Sequence, residues 1–293
     1  MPISTKKTRS ISAREIIREY CRDDRRHKEL MGDLRRMIAK IKRLDSNQIA
    51  FNAENIHLNS REMSVFSKML ERYEKNEPVS KIINAKSFWN HEFFVNSDVL
   101  DPRPETEIIV EMILSRFNPK SSLNFLDVGT GSGCLLLSLM SEYPNSRGTG
   151  IDISADAVRV AKYNGKKLGI TSANFSIADW NNFNGSEKFD VVVGNPPYIK
   201  TNDIPHLEEN VRNYDPLIAL DGGMSGLEAY LSISPLAKKW LKPNGLIFFE
   251  IGCNQAESVL KIMKSNGFHI EEVKKDLSGL DRIVAASVGD YDY

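Results

Sequence analysis

The chain is 293 residues long and carries 39 Lys and Arg against 39 Asp and Glu, a formal net charge of zero. That length holds one large domain or two modest ones. The mix of 41% hydrophobic and 27% charged residues is that of a globular protein in water, and no apolar run approaches the ~20 residues of a membrane span.

Cys21, Cys134 and Cys253 are odd in number and lack CxxC spacing, and the five histidines are dispersed. This argues for a reducing compartment and against a disulfide framework, a zinc site or metal catalysis.

The neutral total hides an asymmetry. Residues 1–50 hold fourteen Lys and Arg against seven Asp and Glu. Such a basic face meets RNA, an acidic partner or plain solvent. Residues 1–11 read as a loose tail; Lys6, Lys7 and Arg9 faintly resemble a transit peptide, but no secretory apolar core follows. Ser12-Ala13-Arg14-Glu15 is a capping box. Helix is expected from there to about Leu44, with Leu30, Leu34, Met37, Ile41 and Leu44 on one face. A second helix starts at Asn59, capped through Glu62, with Met63, Phe66, Leu70 and Tyr73 as its apolar face. Pro78 closes this region, so residues 1–80 are expected to form a small helical domain.

From 81 to 101 the pattern turns to strand. Lys81-Ile82-Ile83, Phe88-Trp89 and Phe93-Phe94-Val95, with a turn at Asn84-Ala85, predict a β-hairpin that links two domains. Residues 102–293 form the second domain. Its first helix starts at Pro104, has Glu105 and Glu107 in its first turn, and runs to about Phe117. Strands are expected at 124–128, 148–152, 173–178, 189–194, 246–251, 268–274 and 282–288, with helical patterns between most of them. That alternation is a doubly wound, Rossmann-like α/β sheet of seven strands. The loop from Leu277 to Leu280 is too short for a crossover, so the last two strands form an antiparallel hairpin.

The chemistry gathers at strand ends. Phe189 to Gly194 is an apolar run that stops at Asn195-Pro196-Pro197-Tyr198, because neither proline can donate to a ladder. Asn195 offers its amide carbonyl and Pro196 its backbone carbonyl, two acceptors for the two N–H bonds of a planar –NH2 group. Tyr198 offers a flat face beside them. A bland alternative is a strand ending in a Pro-Pro turn. Gly129-Thr130-Gly131-Ser132-Gly133 follows another strand and opens a helix, as a loop that approaches a ligand closely. Dinucleotide folds share such a loop, so its setting decides. Asp152 ends the next strand, where a carboxylate can accept both hydroxyls of a ribose. Asp179 and Trp180 end a third; Asp179 could accept from an adenine amino group and Trp180 could stack on its ring. Each has a structural reading too: Asp152 as a helix cap, Trp180 as a packing aromatic. Together they address the methionyl, ribose and adenine parts of S-adenosyl-L-methionine.

With these residues in view, the chain resembles the release-factor glutamine methyltransferases, the PrmC/HemK family. The likeness rests on Phe88-Trp89, the run Arg103-Pro104-Glu105-Thr106-Glu107, the glycine loop, Asn195-Pro196-Pro197-Tyr198, Asp215-Pro216, Ala219-Leu220-Asp221-Gly222-Gly223 and Asp276 to Arg282. It implies a class I methyltransferase fold and S-adenosyl-L-methionine as cofactor, with S-adenosyl-L-homocysteine as product and no metal. The implied substrate is the Gln of the Gly-Gly-Gln tip of class I peptide chain release factors, held by Asn195, Pro196, Pro197 and Tyr198. Gly129–Gly133, Asp152, Trp180 and Asn195 would hold the cofactor, with Arg103 and Thr106 as further candidates. Residues 1–80 would dock the release factor. No direct nucleic-acid substrate, no membrane, a monomer, and a bacterial-type cytoplasm rather than a mitochondrial matrix are expected. Departures are Asn84 for a usual Gly, Ser87 for an acid, Asp215 for a Glu and Met224-Ser225 for a Gly/Ala-Asp pair. The basic N-terminal helices also fit the family pattern poorly. The Asn-Pro-Pro-Tyr run alone is shared with adenine-N6 and guanine-N2 nucleic-acid methyltransferases, which is the rival reading.

Overall fold

The computed structural model describes residues 10–21, 27–185 and 187–289. Lys6, Lys7 and Arg9 of the tail lie outside the described residues, as do residues 22–26 of the expected first helix. The chain divides into two compact units, Met1–Asn84 and Ala85–Tyr293.

The first unit runs β1 (Ile11–Ser12), α1 (Ala13–Tyr20), α2 (His27–Lys42), α3 (Ser46–Asn52), β2 (His57–Leu58), α4 (Ser60–Tyr73) and α5 (Val79–Ile83). α1 starts where Ser12 Oγ accepts from the Glu15 N–H and the Glu15 carboxylate accepts from the Ser12 N–H. α4 starts in the same way through Asn59 and Glu62. Caps of this kind contribute about 1 kcal/mol each. Leu34, Met37, Phe66 and Leu70 are buried as their spacing requires. Leu44 is exposed, because α2 stops at Lys42 and Arg43 turns to a φ of 55°. The strand expected at Lys81-Ile82-Ile83 is instead the end of α5. The Lys81 and Ile82 N–H groups bond to the Pro78 carbonyl, and Asn84 caps the turn in the left-handed region at φ 51°. A run of three apolar-flanked residues carries no period that separates the two structures.

The second unit opens on the hairpin, formed by β3 (Lys86–Phe88) and β4 (His91–Phe93). It is shorter than expected, so Phe94 and Val95 lie beyond it. Its corner residue Trp89 has a φ of 53°, which is costly for a bulky side chain. The corner is held on both sides: the Trp89 N–H donates to Glu107 Oε1 at 2.8 Å and its indole N–H to Glu142 Oε1 at 2.6 Å.

Then follow α6 (Glu107–Arg116), β5 (Asn124–Val128), α7 (Cys134–Glu142), β6 (Arg147–Asp152), α8 (Ala155–Leu168), β7 (Ala173–Ile177) and β8 (Phe189–Gly194). The remainder is α9 (Glu209–Tyr214), α10 (Glu228–Trp240), β9 (Leu241–Glu250), α11 (Ala256–Ser265), β10 (His269–Lys275) and β11 (Asp281–Ser287). The sheet order is β10-β11-β9-β8-β5-β6-β7. β5 to β9 are mutually parallel, and β11 runs antiparallel to both its neighbours. Successive side chains alternate faces. Phe125, Val191, Val193 and Phe248 pack with α6, α7 and α8, and Leu126, Val128, Val192 and Phe249 pack with α10 and α11. The result is the expected doubly wound sheet, covered on both faces.

β5 is flanked by β8 and β6, so the winding reverses direction beside it. In open α/β sheets ligands bind outside the strand ends at such a reversal. The glycine loop follows β5, Asp152 ends β6 and Asn195 follows β8, which brings the predicted residues to one sheet edge.

Candidate active site

A cleft at this edge is lined by Gly129, Thr130, Gly131, Ser132, Asp152, Trp180, Asn195 and Pro197, together with Ile153 and Ser154 and with residues from 98–103, Thr106 and 216–219. The glycine loop crosses its floor. Gly129, Gly131 and Gly133 all have positive φ. Gly133 does not line the cleft; it begins α7, and a Cβ on it would meet Ala161 and Phe175 at 3.1 Å. Its role is close packing of the loop onto the sheet.

Asp152 holds the loop and the next helix together. Its Oδ2 accepts from the Gly131 N–H and its Oδ1 from the Ser154 N–H, both at 2.9 Å. Burial raises its carboxyl above the usual range, and these two bonds oppose that. Each oxygen keeps a second lone pair for a hydroxyl of a ligand. Asp127 lies deeper, 2% exposed, and takes the Thr130 hydroxyl at 2.6 Å. Burial pushes its carboxyl up to about 7 against that bond.

Trp180 is half-buried and its indole N–H donates to Ser232 Oγ at 3.2 Å, which fixes the ring at the cleft wall. Asp179 is not among the lining residues. Its Oδ1 accepts from the backbone and side-chain N–H groups of Asn181, so it caps the turn that presents Trp180.

The four residues after β8 separate. Asn195 and Pro197 line the cleft, Pro196 is buried and lines neither this cleft nor the next pocket, and Tyr198 lines that pocket. The neighbouring pocket also holds Arg103, Glu105, Ile199, Glu250 and Arg282. Asn195 Nδ2 donates to Thr106 Oγ1 at 3.2 Å, and Thr106 donates to the buried Glu250. Burial pushes the Glu250 carboxyl up to about 7, with the Thr106 bond and Arg282 acting the other way. Arg103 pairs with the buried Asp215 at 2.9 Å, which also accepts from the Asp101 N–H at 3.2 Å. The Asp215 that departs from the family's usual Glu therefore anchors the Arg103 loop.

The segment after Asn195 is clamped from one side. The Ile199 N–H donates to Leu220 O and the Gly222 N–H to Ile199 O. Gln255 Nε2 donates to Tyr198 O at 2.9 Å. Sequence reasoning misses Glu250 and Gln255. A signal for Glu250 exists: like Asp127 and Asp152, it is an acid at the C-terminal end of a buried parallel strand.

Residues 119–284 match the family model described as a methyltransferase domain. The chain is 42% identical over 228 residues to a release factor glutamine methyltransferase of Caulobacter vibrioides, covering 78% of this chain and 79% of that protein. It is 37% identical over 273 residues to one of Thermodesulfovibrio yellowstonii, covering 92% and 95%. A bifunctional methyltransferase of Rickettsia felis is 41% identical over 78% of this chain, which spans 49%, about half, of that relative's length. In fold the chain is similar to a methyltransferase of Pyrococcus furiosus, with a TM-score of 0.52 at 15% identity over 76% of this chain and 99% of that one. With one relative matched nearly end to end, another over more than three quarters of both chains, and the motifs gathered at one sheet edge, the chain belongs to the release factor glutamine methyltransferase family.

Proposed function

We propose that this chain transfers a methyl group from S-adenosyl-L-methionine to the side-chain amide nitrogen of the Gln in the Gly-Gly-Gln motif of class I peptide chain release factors. The observation that carries this is Asn195. Its Nδ2 is engaged by Thr106, which leaves Oδ1 as the acceptor turned to a ligand, at the mouth of a cleft whose other walls suit a nucleoside. The lining fits the cofactor's chemistry: a strand-end carboxylate for ribose hydroxyls, an indole for a flat base, and a positive-φ backbone loop free of side chains at Gly129 and Gly131. When bound, the cofactor supplies a methyl group on a sulfonium, an excellent leaving group.

The protein's part is geometry. An amide nitrogen is a weak nucleophile, because its lone pair is delocalised into the carbonyl. Asn195 Oδ1, which lines the cleft, accepts one of its N–H bonds and turns the nitrogen toward the cleft, whereas Pro196 is buried away from it. The same acceptor faces the positive charge that builds on nitrogen. The amide proton leaves to water after transfer, so no side-chain base takes part. Pro197 and Tyr198 wall the amide's path, and Gly129, Thr130, Gly131, Ser132, Asp152, Trp180 and Asn195 hold the cofactor, with Gly133 packing the loop in place and Asp179 orienting Trp180. Residues 1–80 serve the release factor as a docking domain, 81–101 link it to the catalytic domain of 102–293, and the protein works as a monomer in a bacterial-type cytoplasm. Among the described residues no helix is long and apolar enough to cross a membrane.

The rival, transfer to an adenine or guanine amino group, asks for a strongly basic cleft. Residues 51–293 instead carry 25 Lys and Arg against 32 Asp and Glu. Intact-mass analysis decides. A release factor carrying Gly-Gly-Gln gains one methyl group, and a Gln→Ala version gains none. Equal gain by both versions would sink this reading, and transfer to duplex DNA would favour the rival.

Asp152→Ala is expected to weaken cofactor binding by about ten- to a hundredfold, the loss of charge-assisted bonds to hydroxyls. Calorimetry reads this directly. Unchanged affinity would make Asp152 only the brace between Gly131 and Ser154.

A further inference from the structure

Glu250 is 1% exposed and ends β9 at the sheet edge. Its two carboxylate oxygens meet two hydroxyls. Thr106 donates to Oε2, and Tyr198 donates to Oε1 at 3.4 Å, a long bond. Thr106 is itself 4% exposed, and its Oγ1 accepts from Asn195 Nδ2 at 3.2 Å. Residues 106, 195 and 250 thus form one hydrogen-bonded relay, Glu250 to Thr106 to Asn195, out to the cleft.

The polarity of this relay is fixed from its buried end. A hydroxyl has one proton. An ionised carboxylate only accepts, so Thr106 must spend its proton on Glu250. Its oxygen can then only accept from Asn195. The Asn195 amide therefore stands with its NH2 toward Thr106 and its carbonyl turned away. The opposite flip would set two lone-pair-bearing oxygens against each other. It would also offer an N–H donor to a substrate –NH2, which needs acceptors.

We infer that Glu250, acting through Thr106, sets which way round the Asn195 amide stands and so makes Asn195 an acceptor for the substrate amide. The inference rests on the role proposed above for Asn195. Thr106 and Glu250 are positioning residues; Asn195 alone touches the reacting group.

Thr106→Val and Thr106→Ser test it. Valine keeps the shape and removes both bonds, while serine keeps the hydroxyl. Assays run at pH 8.5, where Glu250 is ionised. Thr106→Val lowers kcat by about tenfold, with cofactor affinity and KM for the release factor held within about threefold, and Thr106→Ser recovers most of kcat. In an Asn195→Ala background Thr106→Val costs less than about twofold, because the group it orients is gone. A spectroscopic reading needs no turnover: the side-chain NH2 resonances of Asn195 shift on Thr106→Val and return on Thr106→Ser.

Thr106→Val with wild-type kcat would overturn the inference. So would the same cost with and without Asn195, which would place Thr106 on the cofactor or in the fold. If wild-type protein leaves Gln unmethylated while the NH2 resonances still respond, the proposed reaction fails and the orientation of Asn195 stands.

Discussion

Asn195→Ala is expected to turn over about 10² to 10³ times more slowly than wild type at saturating cofactor, the usual cost of removing one preorganised group that stabilises developing charge. The substitution deletes the only side-chain acceptor among Asn195 to Tyr198 that lines the cleft. The substrate amide loses an anchor and its nitrogen is no longer aimed. The cofactor walls are built elsewhere. The Gly131 N–H, Asp152 and Ser154 brace one another at the ends of β5 and β6, and Trp180 is fixed through Ser232. Cofactor affinity should therefore fall by less than about tenfold, within the range of one or two lost hydrogen bonds. Steady-state kinetics at several cofactor concentrations separate the two effects. Normal turnover once cofactor is raised would make Asn195 a cofactor contact alone, and the amide would have to be held elsewhere.

Gly222→Ala is expected to cost about 10² in turnover without touching any ligand, as a shift of about 1 Å in a reacting group does. A Cβ on Gly222 would lie 2.7 Å from Pro197 O and 2.7 Å from the Tyr198 Cα. Real Cβ atoms do not approach backbone that closely, and neither neighbour is a flexible side chain. One of the two segments must move. The 220–222 segment is bonded to Ile199 on both sides, by Ile199 N–H to Leu220 O and by Gly222 N–H to Ile199 O, so Pro197 and Tyr198 take the displacement. Cofactor affinity should hold, and a melting curve near that of wild type would show that the fold survives. Turnover equal to wild type would show slack between these segments that the distances do not allow.

The parts legible in the sequence are those where one residue type has one physical solution. The apolar runs of β5 and β8 are buried on both faces, so their composition announces them. The Ser12 and Asn59 caps need those side chains at that spacing. Pro196-Pro197 ends a ladder wherever it falls. The illegible parts depend on tertiary context. Lys81-Ile82-Ile83 is too short for its period to separate helix from strand, and Pro78 and Asn84 settle it by capping both ends of α5. Asn84 does take the positive φ that its side chain tolerates; what it ends is a helix rather than a hairpin strand. β9 begins at Leu241, earlier than expected, because Lys242-Pro243-Asn244-Gly245 looks like a turn and yet lies within the strand. At the site, Asp152 and Asn195 stand at strand ends in plain view. Glu250 does not declare itself, since its function depends on Thr106, 144 positions away in the chain.

The order of strands in the sheet differs from the order in which a ribosome makes them. β9 emerges before β10 and β11, yet its outer partner is β11, the last to be synthesised. Until Asp281–Ser287 has left the exit tunnel, β9 carries an open edge with Ile247, Phe248 and Phe249 beside it, the kind of edge that invites wrong pairing. Glu250 lies opposite Ile283 in that last pairing. The sheet edge beside Glu250, which holds Thr106 and through it Asn195, is therefore closed only by the strand made after every other strand of the sheet.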